Sequence, residues 1–451
     1  MPAARAVRVG LLGCGAVALS IHLPVLRRLT GVQIVALAEP DAERRRQAAR
    51  LAPAATAFTD YHDALAERNL DAVVICLPNN LHARAACDAL KAGKHVYLEK
   101  PLATAMDDAE ALLRIWRASG LIGMMGFNYR YNPLHVALRN RLSTGEIGPI
   151  VGLQTVFTTT RISMPMWQCG RGPGAGVLAD LGSHHVDLVR YLTGREVEQA
   201  RVDLRTLRYP DDTASLTLRL EGGAPVQSLF SWSAAEQGRV EVWGTRGKLI
   251  VDRYRSLGVE RETGAGLVGR LCGVGRTAQS LARAPYLALK LRSVTGEPSY
   301  ELALRTFVAA VASGHRPKPD LEDGARGLQV VLGAEEATRA TSRQRSAVLP
   351  ASPAAMVDAT PVDQDKGPAL SVVMVASDDP SACDRTLTCL AAQTARDRME
   401  VVVAASLGAS AGLRRWIGAE WRSFRIVLVS ERPTVGHAHK AGLLASCAPV
   451  V

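Results

Sequence analysis

Two short stretches hold side chains able to move protons. The first is Glu99-Lys100-Pro101, which follows the β-branched run His95–Leu98. A lysine in a loop is nearly always a solvated charge. Lys100 differs in standing at the end of an expected strand, the edge where open α/β sheets bind ligands. A partly desolvated amine beside a cationic ring would release its proton more readily, and could then trade one with a carbinol. The second stretch is Gly174-Ala-Gly176-Val-Leu-Ala-Asp180-Leu-Gly-Ser-His184-His185-Val-Asp187. Asp180 and His184 stand four apart and share one face of a helix. Such a face can hold a substrate hydroxyl, with His184 exchanging its proton and His185 beside it. Core histidines that satisfy buried hydrogen bonds are the alternative. A metal set of His184, His185 and Asp187 is disfavoured, because neighbouring residues on a helix point in different directions.

A glycine-rich turn suggests what the cationic ring would be. Gly13-Cys-Gly15-Ala-Val-Ala18 lies between the run Val7–Leu12 and a helical stretch. Gly13 permits a tight turn, Gly15 lets the backbone approach a pyrophosphate, and Ala18 allows close helix–strand packing. The phosphates would meet the helix amino terminus at Gly15, Ala16 and Val17, where amide donors and the macrodipole favour negative charge. A lone GxGxxA is a weak signal, but here the next strand ends in an acid, Glu39. A carboxylate at that place bonds both ribose hydroxyls and repels a 2′-phosphate, which favours NAD over NADP. Arg44 and Arg45 follow closely and could accommodate that phosphate instead. The run Asp71–Leu77 ends in Pro78-Asn79-Asn80-Leu-His82. Pro78, Asn79, His82, Glu99 and Lys100 would then line the cofactor edge, although His82 could equally cap its helix.

These residues require elements that deliver them to one edge. From 7 to 127, apolar runs (Val7–Leu12, Gln33–Ala38, Ala72–Cys76, His95–Leu98) alternate with helical stretches (Asp41–Leu51, Leu81–Ala92, Met106–Ala118). That rhythm means βαβ units and a doubly wound parallel sheet of Rossmann type. Thr104-Ala-Met-Asp107 resembles a capping box before the last helix. From 128 to 349 the chain reads as an α+β domain. Val151–Thr160, Ala214–Leu220, Val226–Ser233, Arg239–Val242 and Lys248–Asp252 alternate with period two, as strands of a large antiparallel sheet do. Helical pattern returns at Tyr300–Ser313 and Gly324–Arg339. Residues 263–296 form a basic amphipathic segment, which more often packs on protein than on a membrane surface. Residues 350–369, rich in Pro, Ala and Asp, read as a linker. Leu370–Ala376 and Glu400–Ala404 open another α/β unit over 370–451.

Composition bounds the rest. Of 451 residues, 47% are hydrophobic and 22% charged, as in ordinary globular chains. The net charge of +11 comes from scattered Arg rather than a basic run with aromatics, so nucleic acid is not the expected partner. An anionic small ligand accounts for the sign. The eight cysteines form no CxxC pair, and Cys14 and Cys76 sit in apolar segments as small core residues, which fits a reducing cytoplasm. Glycines and Pro24 break the apolar amino terminus, so it reads as strand, turn and helix rather than an export signal; no apolar run is long enough to span a bilayer.

Six stretches together resemble the Gfo/Idh/MocA oxidoreductases, the family of glucose–fructose oxidoreductase and inositol dehydrogenase. They are GLLGCGAVA, LPNNLHARAACDALKAGKHVYLEKPLA, GFNYRYNP, GAGVLADLGSHHVDLVRYLTG, VEVWGTRGKLIV and LEDGARGLQVVLGAEEA. The resemblance covers residues 5 to about 345. It implies that Lys100, Asp180 and His184 are the catalytic lysine, aspartate and histidine, and that Asn128, Arg130 and Pro133 border the cleft. It further implies a cis Lys100–Pro101 peptide, and homo-oligomers paired through the open sheet. The 255–296 insertion departs from the pattern. Residues 370–451 resemble the start of a family 2 glycosyltransferase, through LSVVMVASDDPSACDRTLTCLAAQT, EVVVAAS and VGHAHKAGLLASCAPVV. Where that family carries an acidic pair, this chain has Ala404-Ala405-Ser406, and its DxD motif would fall beyond Val451. Without those carboxylates a divalent cation has no evident holder, so glycosyl transfer is not expected. The whole implies reversible hydride transfer between nicotinamide and a secondary hydroxyl of a sugar or nucleotide sugar. Cyclic polyols are the second reading, and a cofactor-binding scaffold without turnover is a third.

Overall fold

A computed structural model describes residues 5–161, 174–262 and 284–348 and, beyond them, position 387 and four strands at 356–359, 370–375, 399–405 and 423–428. The expectations for most of the 263–296 segment, and for most of the glycosyltransferase-like stretches, lie outside the described residues. Two compact units result, Met1–Arg343 and Gln344–Val451.

Six strands form the first sheet of the larger unit: β1 (Val7–Leu12), β2 (Val32–Ala38), β3 (Thr56–Phe58), β4 (Ala72–Ile75), β5 (His95–Leu98) and β6 (Gly123–Met125). All pairings are parallel, in the order β3-β2-β1-β4-β5-β6. This is the doubly wound order, which opens a ligand crevice at the carboxyl ends of β1 and β4. β3 and β6, with three residues each, are too short to show a period in sequence. Alternate side chains feed two cores. Val73, Ile75, Val96 and Leu98 enter one, whereas Ala72, Val74 and Tyr97 enter the other. Both faces are covered, so the strands read as continuous apolar runs. Helix Ala42–Leu51 is capped by Asp41, whose side chain accepts from Arg44 N at 2.8 Å. The expected capping box does not form: helix Met106–Ser119 starts after Ala105 with no side-chain cap, and Asp107 and Asp108 in its first turn complement the macrodipole instead.

The second sheet has seven strands: β7 (Ile150–Thr160), β8 (Val197–Arg205), β9 (Thr213–Leu220), β10 (Pro225–Ser231), β11 (Ser233–Gly244), β12 (Gly247–Asp252) and β13 (Glu260–Glu262). Their order is β13-β12-β11-β7-β10-β9-β8. The sheet is mixed rather than wholly antiparallel, because β10 runs parallel to β7. Period-two burial along β9 and β10 sends Leu216, Leu218, Val226 and Phe230 inward against helix Ser183–Thr193. Edge strand β8 carries mostly polar residues, which hid it from the sequence pattern.

Helices Pro298–Ser313 and Leu321–Val348, expected in the second domain, return to the first sheet. Leu304 and Phe307 join one of its cores, and Leu321 and Leu328 the other. The smaller unit holds β14 (Met356–Ala359), β15 (Leu370–Val375), β16 (Met399–Ala405) and β17 (Ser423–Leu428), in the order β14-β17-β16-β15. β14 falls inside the stretch expected to be a linker. Its short apolar start completes the hydrogen-bonding edge of β17, antiparallel to it. Among the described residues no helix is long and apolar enough to cross a membrane. Cys14 and Cys76 are buried and free, and burial pushes the Cys14 thiol up to about 12.

Candidate active site

β5 ends by presenting Glu99 and Lys100 at the crevice, and Lys100–Pro101 is cis. The Lys100 amine donates to the Asp180 carbonyl at 3.0 Å and to Asp180 Oδ1. Asp180 comes from a π-turn, Leu178–Gly182, that leads into helix Ser183–Thr193. Single π-turns set into α-helices are frequent at functional sites. The second carboxylate oxygen accepts from the Trp232 indole at 3.1 Å and faces the Arg161 guanidinium at 3.0 Å. Burial would push the Asp180 carboxyl up, but the Lys100 and Arg161 charges hold it well below the usual carboxylate range. His184 stacks on Tyr129, with ring centroids 4.5 Å apart. Burial first, then the Lys100 charge, holds His184 well below its ordinary value, so it is a neutral imidazole near pH 7. Its Nδ1 is buried and has no hydrogen-bond partner among the described residues. The three expected residues are therefore gathered. Arg161, Trp232 and Tyr129 complete the cluster; their types and positions carried no local signal.

The turn at residues 13–17 suits a dinucleotide. Gly13 has φ +87°, and a Cβ there would lie 2.6 Å from Cys76 O, so only glycine fits. A Cβ on Gly15 would meet nothing within 4 Å, which leaves the space a pyrophosphate needs. Ala16 and Val17 begin the helix beyond it. Glu39 lies at the end of β2 but is already engaged. It accepts from Cys14 N at 2.8 Å, Asp41 N at 3.0 Å and Arg44 Nη2 at 2.9 Å. A ribose diol reaching this carboxylate must share it with Arg44. Asn79 donates to the Gly174 carbonyl at 2.8 Å and so ties the crevice to the chain leading to Asp180, while Pro78 stands half-buried beside it.

Other expected contacts are spent within the protein. His82 does not cap its helix: its ring nitrogens lie against Pro101 O at 2.7 Å and Leu77 O at 2.8 Å, bracing the loop after Lys100. Both oxygens of Glu99 are engaged, by His22 and by the Lys100 amide. Asn128 is buried and donates to Ser299. Arg130 grips Asp187 through two hydrogen bonds and lies 3.1 Å from Asp323. It lines a polar cleft of about 570 Å³ that contains none of Lys100, Asp180 and His184. His185 packs between the Phe157 and Phe230 rings, with burial pushing it down to about 3. Each of these polar groups found a protein partner or an aromatic wall before it could reach the cleft.

A doubly wound sheet with an open glycine turn, joined to a sheet domain that sets an acid on a strand-end lysine and an imidazole near it, defines a nicotinamide-dependent oxidoreductase. The model of the oxidoreductase family's NAD-binding Rossmann fold matches residues 7–127, and that of the GFO/IDH/MocA C-terminal domain matches residues 135–250. The chain belongs to the Gfo/Idh/MocA family of NAD(P)-dependent oxidoreductases. It is 27% identical over 340 residues to a myo-inositol 2-dehydrogenase from Thermotoga maritima, covering 73% of this chain and 96% of that one. It is 29% identical over 260 residues to a dTDP-3,4-didehydro-2,6-dideoxy-α-D-glucose 3-reductase from Saccharopolyspora spinosa, covering 55% and 75% of the two chains. A levoglucosan dehydrogenase solved with NADH and levoglucosan shares the fold at TM-score 0.62 and 20% identity, covering 74% and 98%.

Proposed function

We propose that the Met1–Arg343 unit interconverts a secondary hydroxyl and a ketone on a sugar or nucleotide sugar, with Lys100 as the acid/base. The observation that carries this reading is the Lys100 amine held on Asp180 beside His184, at the mouth of a dinucleotide crevice. When bound, the nicotinamide supplies the hydride acceptor or donor at its ring C4. In the oxidative direction the Lys100 ammonium first gives a proton to solvent, and the neutral amine then takes the hydroxyl proton as hydride leaves the same carbon and a carbonyl forms. In reduction it returns that proton. Asp180 fixes the amine, and Trp232 and Arg161 fix Asp180. His184, neutral, can exchange a hydrogen bond with the hydroxyl without adding charge. Glu39 favours NAD, with Arg44 placed to meet a 2′-phosphate should NADP enter.

The nucleotide-sugar preference draws on the deoxysugar 3-reductase relative and on the sequence resemblance of residues 370–451 to a glycosyltransferase. Cyclic polyols are the second reading, favoured by the near full-length match to the inositol dehydrogenase. Pairing of copies through the outer face of the seven-stranded sheet goes with the family. The test is a panel of nucleotide sugars, free sugars and inositols with NAD and NADP in parallel, followed by nicotinamide absorbance. Lys100→Met should lower kcat/KM on the accepted substrate about 10²–10⁴-fold while NADH still binds. Undiminished turnover by that variant would refute the assigned role.

A further inference from the structure

Lys100 is restrained at both its amine and its backbone. Its amine is held by Asp180; its backbone is held through Glu99. Glu99 Oε2 accepts from the Lys100 amide at 3.2 Å, and Oε1 accepts from His22 Nε2 at 2.7 Å. A side chain at position 126 would come within 3.0–3.1 Å of that carboxylate, so Gly126 closes it on another side. His22 is fully buried, with the Tyr97 and Tyr300 rings edge-on at 5.7 and 6.2 Å. It belongs to the helix that starts at the dinucleotide turn, and within that helix to a π-turn, Ala18–His22. The wider turn rotates every later residue relative to an α-helix. It is this turn that aims the imidazole at Glu99. The second π-turn, Leu178–Gly182, aims Asp180 at the amine from the other domain. Burial would push the Glu99 carboxyl up, yet the His22 bond holds it below its ordinary value. Taking a carboxylate and an imidazole together out of water is costly, and an apolar pair of the same volume would cost less.

We propose that His22 is a positioning residue for Lys100. It anchors Glu99, and Glu99 fixes the peptide that carries the catalytic amine, so the helix receiving the dinucleotide and the loop handling the proton are joined. The inference rests on Lys100 being the acid/base. Its test therefore includes a readout that needs no turnover: the rate at which an amine-acylating reagent modifies Lys100 in the cofactor-free full chain, read by peptide mass spectrometry against other lysines. His22→Leu should speed modification of Lys100 and lower kcat about 10–100-fold, the scale of a small misplacement, with NADH affinity little changed and Tm lowered because Glu99 loses its buried partner. His22→Gln, whose amide can still donate to Glu99, should recover most of the loss. Glu99→Gln places an amide N–H or a weaker acceptor against the Lys100 amide and should also free the amine. Wild-type labelling and kcat in both His22→Leu and Glu99→Gln would overturn the proposal. So would equal losses in His22→Leu and His22→Gln accompanied by an equally lowered Tm. Should Lys100→Met stay active while His22→Leu still loosens Lys100, the assignment of Lys100 fails and the coupling stands.

Discussion

Two adjacent histidines show how environment assigns roles that residue type does not. His184 lies over Tyr129 within the field of Lys100, whereas His185, one position on, is enclosed by Phe157 and Phe230. On the proposed function the first, beside Lys100, is the one placed to meet a substrate. The second has a cost that appears with acid. His185 is pushed by burial to about 3 and His135 to about 4, both below the ~6.5 of an unfolded chain. Above pH ~6.5 each is neutral in both states and stability does not depend on it. Below that pH the unfolded chain takes up protons first. Stability then falls by about 1.4 kcal/mol per pH unit per histidine, until the folded value is reached. His185→Phe should keep the fold at neutral pH and flatten this acid loss. Urea unfolding of both proteins between pH 8 and 5 checks it, and identical slopes would contradict the burial argument.

At the scale of elements, strand ends and helix starts do the positioning. β1 delivers the glycine turn, β5 delivers Lys100, and the π-turn before helix Ser183–Thr193 delivers Asp180. The glycines of the turn differ in what they permit. Gly13→Ala sets a Cβ against the Cys76 backbone at a left-handed φ and should both lower Tm and abolish cofactor binding. Gly15→Ala meets no protein atom, so it should fold like the wild type but weaken NADH binding. Thermal melts and fluorescence titrations of the two variants separate these effects. A stable Gly13→Ala chain that binds NADH normally would exclude this account of the turn. Binding of NADH by Gly15→Ala at wild-type strength would show that the space beside Gly15 is not where the phosphates lie.

At the scale of the whole molecule, residues 1–343 form one compact unit, although the sequence divides them into two domains. Helices Pro298–Ser313 and Leu321–Val348 close back onto the Rossmann sheet, so neither part is complete alone. A chain ending at Val348 should therefore fold cooperatively and keep its kcat and KM. A large loss of either would make the Gln344–Val451 unit part of the catalytic machinery. The nucleotide fold and the candidate trio were legible because their signals are local: apolar runs alternating with helical pattern, a glycine turn with an acid closing the next strand, and a strand-end lysine. The sequence by itself determined the parallel sheet, the place of Gly13 and Gly15, and the candidacy of Lys100, Asp180 and His184. Tertiary structure alone decided that Arg130, Asn128 and His82 are committed inside the protein, that Arg161 and Trp232 share Asp180, and that His22 reaches Glu99. Those partners lie 5 to 171 positions apart along the chain, and a buried polar group is satisfied by whichever neighbour folding brings within bonding distance.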